Sequence, residues 1–110
     1  MKNIQIIVIA LLVNVIVSDV VNLDEGWYYI KNAVSGKYLQ VKNSEAKAIT
    51  NVEIGTGNKS SSQKWKITRL NDGYFTLTSS LGNFAIDIAY GENTNGVNIQ
   101  IYDNYGGEAQ

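Results

Sequence analysis

Apolar and polar residues alternate along most of the chain after position 25, and the alternation is that of strands. Tyr38-Leu39-Gln40-Val41, Asn51-Val52-Glu53-Ile54 and Trp65-Lys66-Ile67-Thr68 each place an apolar side chain at every second position. A half-buried strand shows this period because successive side chains point to opposite faces. Trp27-Tyr28-Tyr29-Ile30 is aromatic and β-branched, a composition that suits a pleated, half-covered surface. The same signals predict strands at Tyr74–Thr78, Phe84–Ile88 and Val97–Ile101, which brings the expected count to seven. Between them lie turn signals: Ser35-Gly36, the Gly- and Ser-rich run from Gly55 to Ser62, and Asn95-Gly96. Lys42–Thr50 has the composition for a helical turn but is too short and uncapped for a helix. The pattern predicts an all-β chain.

The strands also repeat. Gly26 recurs as Gly73, Asn51 as Asn98, Ile54 as Ile101 and Gln63 as Gln110, all at a spacing of 47 residues with no gap. Apolar positions match in kind between these identities: Tyr28 with Phe75, Ile30 with Leu77, Leu39 with Ile86, Val41 with Ile88. A fixed period of this size marks copies of one supersecondary unit, none of which buries its apolar face alone. The division expected is repeat one at 26–72 and repeat two at 73–110, the second stopping where the first continues Lys64-Trp65-Lys66-Ile67. A chain cut there is expected to be marginal, oligomeric or partly disordered by itself, with an unpaired last edge.

The first 18 residues stand apart. Met1-Lys2-Asn3 is followed by 14 residues, Ile4 to Val17, that are apolar except for Gln5 and Asn14. Such a run is shorter than the roughly 20 residues that span a bilayer, which favours a signal peptide. Ile16 and Ser18 suit a cut before Asp19, with 19–25 as a linker to the repeats. The expected location is therefore secreted or extracellular.

Composition then removes classes of chemistry. The chain of 110 residues carries neither Cys nor His, which excludes disulfides, the usual zinc sites and the serine–histidine and cysteine–histidine catalytic arrangements. Without Lys2 the remaining 8 basic residues face 10 acidic ones, no footprint for nucleic acid or an anionic membrane. Asp72, Asp87 and Asp103 could supply carboxylates for glycoside hydrolysis, but no spacing singles out a pair. No enzymatic activity, metal or cofactor is expected. Asn58-Lys59-Ser60 fits an N-glycosylation acceptor.

The segment from Gly26 to Val41, with Ser35-Gly36-Lys37 and Tyr38-Leu39-Gln40-Val41, followed by Gln63-Lys64-Trp65, resembles the ricin B-type lectins. The resemblance implies a β-trefoil of three four-stranded repeats, here incomplete, with about seven of twelve strands. It also implies carbohydrate binding. In each repeat of that family an Asp follows the Leu of the second strand, a polar residue and an aromatic stand on the third, and polar groups surround the closing Gln. Repeat one carries Gln40 at the Asp position and Gly55 at the aromatic one, so its site is expected to be degenerate. Repeat two carries Asp87, Gln100 and Tyr102, then Asn104 and Tyr105 in the loop and Gln110 at its close. These six are the expected sugar contacts. Gln63 and Trp65 are expected to be structural, the indole plugging the space between repeats and the amide bridging backbone groups of the preceding turn.

The function expected is a secreted carbohydrate-binding module for a galactose- or xylose-type glycan. The alternative is a structural or interaction fragment that binds no sugar. Partners consistent with either are a further chain completing the trefoil or a linked catalytic or toxin domain.

Overall fold

The computed structural model describes residues 2–4, 24–71, 73–92 and 94–110. The signal-peptide segment, apart from 2–4, lies outside the described residues, as does Asp72. Among the described residues, eight strands are ordered β1-β2-β5-β6-β7-β8-β4-β3 in one continuous sheet. They are β1 (Lys2–Ile4), β2 (Gly26–Ile30), β3 (Tyr38–Val41), β4 (Thr50–Gly55), β5 (Trp65–Arg69), β6 (Phe75–Ser79), β7 (Phe84–Ile88) and β8 (Ile99–Asp103). The only helical elements among the described residues are short 3-10 turns at Lys42–Ser44, Ser61–Gln63 and Ala89–Gly91. Seven of the strands are those the alternation predicts. β1 runs parallel to β2, Lys2 opposite Tyr28 and Ile4 opposite Ile30. All other pairings are antiparallel.

β8 begins two residues later than the predicted Val97 and ends two residues later than Ile101. Gly96, at φ +80, turns the chain. The carbonyl of Asn98 is then taken by the amide of Ala89 at 3.0 Å, outside the ladder. Pairing with β7 starts at Ile99 opposite Ile88 and continues to Asp103 opposite Phe84. Tyr102 is thereby held within a strand, opposite Ala85.

The core forms where the repeats meet. Ile30, Val41, Trp65 and Ile101 are its buried centre, packed round by Leu39, Val52, Leu77, Leu81, Phe84 and Ile86. Trp65 is fully buried, and its indole N–H donates to the Leu39 carbonyl at 3.0 Å. A large aromatic is costly to bury unless its polar atom finds a partner, and this bond meets that requirement. Gln63, also fully buried, accepts at Oε1 from the Asn58 amide at 3.0 Å and donates from Nε2 to the Thr56 carbonyl at 2.8 Å.

The two copies repeat in conformation as well as in sequence. Forty-seven residues on, Gln110 donates to the Asp103 carbonyl at 2.9 Å and accepts from the amides of Tyr105 and Gly106 at 3.3 and 3.1 Å. The turn closed by Gln110 is thus the turn closed by Gln63, built from different residues. Asn98 Nδ2 donates to Asn51 Oδ1 at 2.6 Å, which joins the same position of the two repeats to each other.

Candidate functional site

Asp87 is the fourth of the five residues of β7, and the ladder sets Gln100 of β8 directly opposite. Side chains directly opposite on one face of an antiparallel pair are close enough to bond. Gln100 Nε2 donates to Asp87 Oδ2 at 3.2 Å, with both residues buried. The other carboxylate oxygen, Oδ1, has no hydrogen-bond partner among the described residues. Asp87 is only 4% exposed. A buried acceptor left without a donor costs about 1–3 kcal/mol.

Asp87 lines a groove of about 440 Å³ together with Ile49, Tyr90, Gly91, Gln100, Tyr102 and Tyr105. Tyr102 and Tyr105 meet edge to face, ring centroids 6.1 Å apart at 88°. Tyr102 keeps 37% of its surface exposed and lines the groove beside Asp87. The groove thus offers an acceptor, an amide with a further donor and acceptor, and aromatic surface. Those are the groups that fix the hydroxyls and cover the C–H face of a small polar ligand.

Of the six contacts expected from the sequence, Asp87, Gln100, Tyr102 and Tyr105 come together in this groove. Asn104 and Gln110 do not; they line a separate cleft with Thr68, Thr76 and Thr78. Gln110 is committed to the backbone of its own turn, the same task that Gln63 performs in repeat one. Ile49, Tyr90 and Gly91 line the groove without having been expected there. Ile49 comes from repeat one. It reaches the groove because β4 pairs with β8, Asn51 opposite Gln100, a contact between repeats that strand patterning does not show.

Repeat one carries the same pair with its members exchanged. Gln40 of β3 faces Glu53 of β4, and Gln40 Nε2 donates to Glu53 Oε2 at 2.8 Å. The amide now stands at the position of Asp87 and the carboxylate at that of Gln100. The consequence is occlusion. Gln63 Nε2 donates to Gln40 Oε1 at 2.9 Å, which draws the Gln40 side chain across Gly55. A Cβ at Gly55 would collide with the Gln40 side-chain amide, so the place of the Tyr102 aromatic is filled by the repeat's own amide. A separate cavity of about 130 Å³, lined by Tyr29, Tyr38, Gly57, Lys59 and Gln63, is the counterpart of the cleft at Thr76, Asn104 and Gln110, not of the Tyr102 groove.

Comparison with known proteins bears on this arrangement. A family model described as a ricin-type beta-trefoil lectin domain-like domain matches residues 16–102. A search of curated proteins finds no significant match. Among solved structures, the chain is similar to ThreeFoil, a designed protein with 3-fold symmetry, at 29% identity and a TM-score of 0.75. It is similar also to an exo-beta-1,3-galactanase from Clostridium thermocellum, 1,3Gal43A, at 29% identity and a TM-score of 0.74. A third, the mdaA-1 domain, gives 27% identity and a TM-score of 0.65. These matches cover 81%, 81% and 82% of this chain, and 64%, 19% and 54% of the others.

Proposed function

We propose that this chain, which belongs to the ricin-type β-trefoil lectin-like family, binds a neutral saccharide in the groove of its second repeat. The observation that carries the reading is the unpaired Oδ1 of buried Asp87 beside the partly exposed ring of Tyr102. A sugar hydroxyl supplies the missing donor, and the ring covers the C–H face of the same sugar. Gln100, already donating to Asp87, holds the carboxylate in one orientation. Repeat one does not compete, because Gln40 fills its equivalent space.

Galactose-type glycans are the first ligands to try, and xylose the second. The similarity to 1,3Gal43A supports this order: that protein is an exo-beta-1,3-galactanase, and this chain matches 19% of it. Calorimetric titration of galactose, β-1,3-galactobiose and xylose into the folded chain tests the proposal. Saturable binding of at least one is expected; a folded chain that binds none of them would sink it.

The second reading, an interaction fragment, is favoured by one observation. An apolar groove of about 680 Å³ runs beside Leu70, Phe75, Ile86, Ile88 and Ala109. A folded chain that takes up no sugar leaves this reading in place.

The proposed setting is extracellular, by cleavage between Ser18 and Asp19. Cleavage would remove β1, leaving β2 paired only with β5. Intact mass of the protein collected from the medium of a secreting host is expected to correspond to a chain beginning at Asp19. A mass that retains Met1 would overturn the export proposal.

A further inference from the structure

Two bulky side chains on the rim of the second-repeat groove are held in a backbone conformation that their residue types disfavour. Ile49 has φ +71 and Tyr90 has φ +57. In this left-handed region the Cβ of an L-residue crowds the following carbonyl oxygen. For a β-branched or bulky residue it is a true outlier.

The other repeat shows that neither choice is imposed by the turn. Forty-seven residues after Ile49 stands Gly96, at φ +80, where an added Cβ would meet nothing within 4 Å. Forty-seven residues before Tyr90 stands Asn43, at φ 55 and ψ 19 against φ 57 and ψ 14 for Tyr90. Gly and Asn are the residues that tolerate this region. The fold therefore uses the tolerated residue once at each position, and the disfavoured one where the side chain borders the groove.

The strain is not offset by burial in the core. Ile49 is 62% exposed and Tyr90 is 91% exposed. Ile49 is nonetheless fixed in place, its amide donating to the Ile101 carbonyl at 2.8 Å beside the β4–β8 pairing. Backbone strain that returns no packing is a feature of ligand clamps.

We propose that Ile49 and Tyr90 are the two lips of the saccharide site, closing on apolar C–H surface while Asp87 and Gln100 take the hydroxyls. The inference rests on the reading of the groove given above. It adds that recognition in repeat two depends on a side chain supplied by repeat one. It also adds that the lips, held at a cost to stability, set which sugars are retained.

The test gives each position the residue that the other repeat carries in the same conformation: Ile49→Gly and Tyr90→Asn, each in the full chain. Both variants relieve strain, so each is expected to melt about 4 °C higher than wild type. Each is also expected to bind galactose or xylose, whichever the wild type retains, roughly tenfold more weakly, as loss of one apolar contact does. Weaker binding at an unchanged or raised melting temperature supports the lips, because a purely structural role would lower both. Wild-type affinity in either variant overturns that lip, and weaker binding accompanied by a lower melting temperature overturns it too. A wild type that binds neither sugar removes the site and the lips together. A wild type that binds, and loses binding on Asp87→Ala but not on Ile49→Gly or Tyr90→Asn, overturns the lips alone.

Discussion

Trp65→Ala is expected to destabilise the fold by about 3–5 kcal/mol, the range for removing a large aromatic from a packed core. A domain of this size holds only about 5–15 kcal/mol in total. The midpoint of a thermal melt followed by circular dichroism should therefore fall by roughly 15–30 °C. The reason is position as much as size. Trp65 is fully buried among Ile30, Val41 and Ile101, which come from β2, β3 and β8 and so from both repeats. An alanine there leaves a void bordered by rigid strands, which cannot collapse to fill it. Trp65→Phe separates packing from hydrogen bonding: it keeps most of the volume but leaves the Leu39 carbonyl without the indole donor. Its expected cost is about 1–3 kcal/mol, that of a buried group left unpaired. A Trp65→Ala protein melting within a few degrees of wild type would show that the indole does not anchor the core.

Asp87→Ala is expected to have the largest effect on binding and almost none on stability. Hydrogen bonds to a charged group contribute about 1.5–3 kcal/mol each, so losing the carboxylate should weaken sugar binding by roughly 10- to 100-fold. Stability moves little because two changes oppose each other. Gln100 Nε2 loses its acceptor, while the buried Oδ1 that had no donor disappears. Asp87→Asn keeps the shape and should fall between alanine and wild type in affinity. Affinity within twofold of wild type in Asp87→Ala would end the assignment of Asp87 to the ligand.

Much of the fold was legible because each strand carries its own signal. The alternation in Tyr38–Val41 and Trp65–Thr68 places β3 and β5 to within a residue. β8 was displaced by two residues because its start is set by Gly96 and by the bond from Ala89 to the Asn98 carbonyl. Neither of these enters an apolar pattern. The opposition of Asp87 and Gln100 was accessible through the period-two ladder and the positions the repeats share. Ile49 and Tyr90 were hidden for a definite reason: Ile and Tyr are residues that sequence rules place away from left-handed turns. The one available signal was the offset that aligns Ile49 with Gly96 and Tyr90 with Asn43. The exchange of acid and amide between Gln40–Glu53 and Asp87–Gln100 was hidden too, since each residue is unremarkable until its cross-strand partner is known.

Asn51 and Asn98, one of the few positions identical in both copies, bond to each other. A chain that grows by duplicating itself brings each new surface against a copy of its own. At the contact between copies, a carboxylate would meet a carboxylate and an ammonium an ammonium. A primary amide is different, because it carries a donor and an acceptor on one group and can meet its own copy head to tail, as Asn98 Nδ2 meets Asn51 Oδ1 at 2.6 Å. Self-complementarity of a single side chain thus suits a contact between copies, and a change at either Asn loses this bond unless the other changes with it.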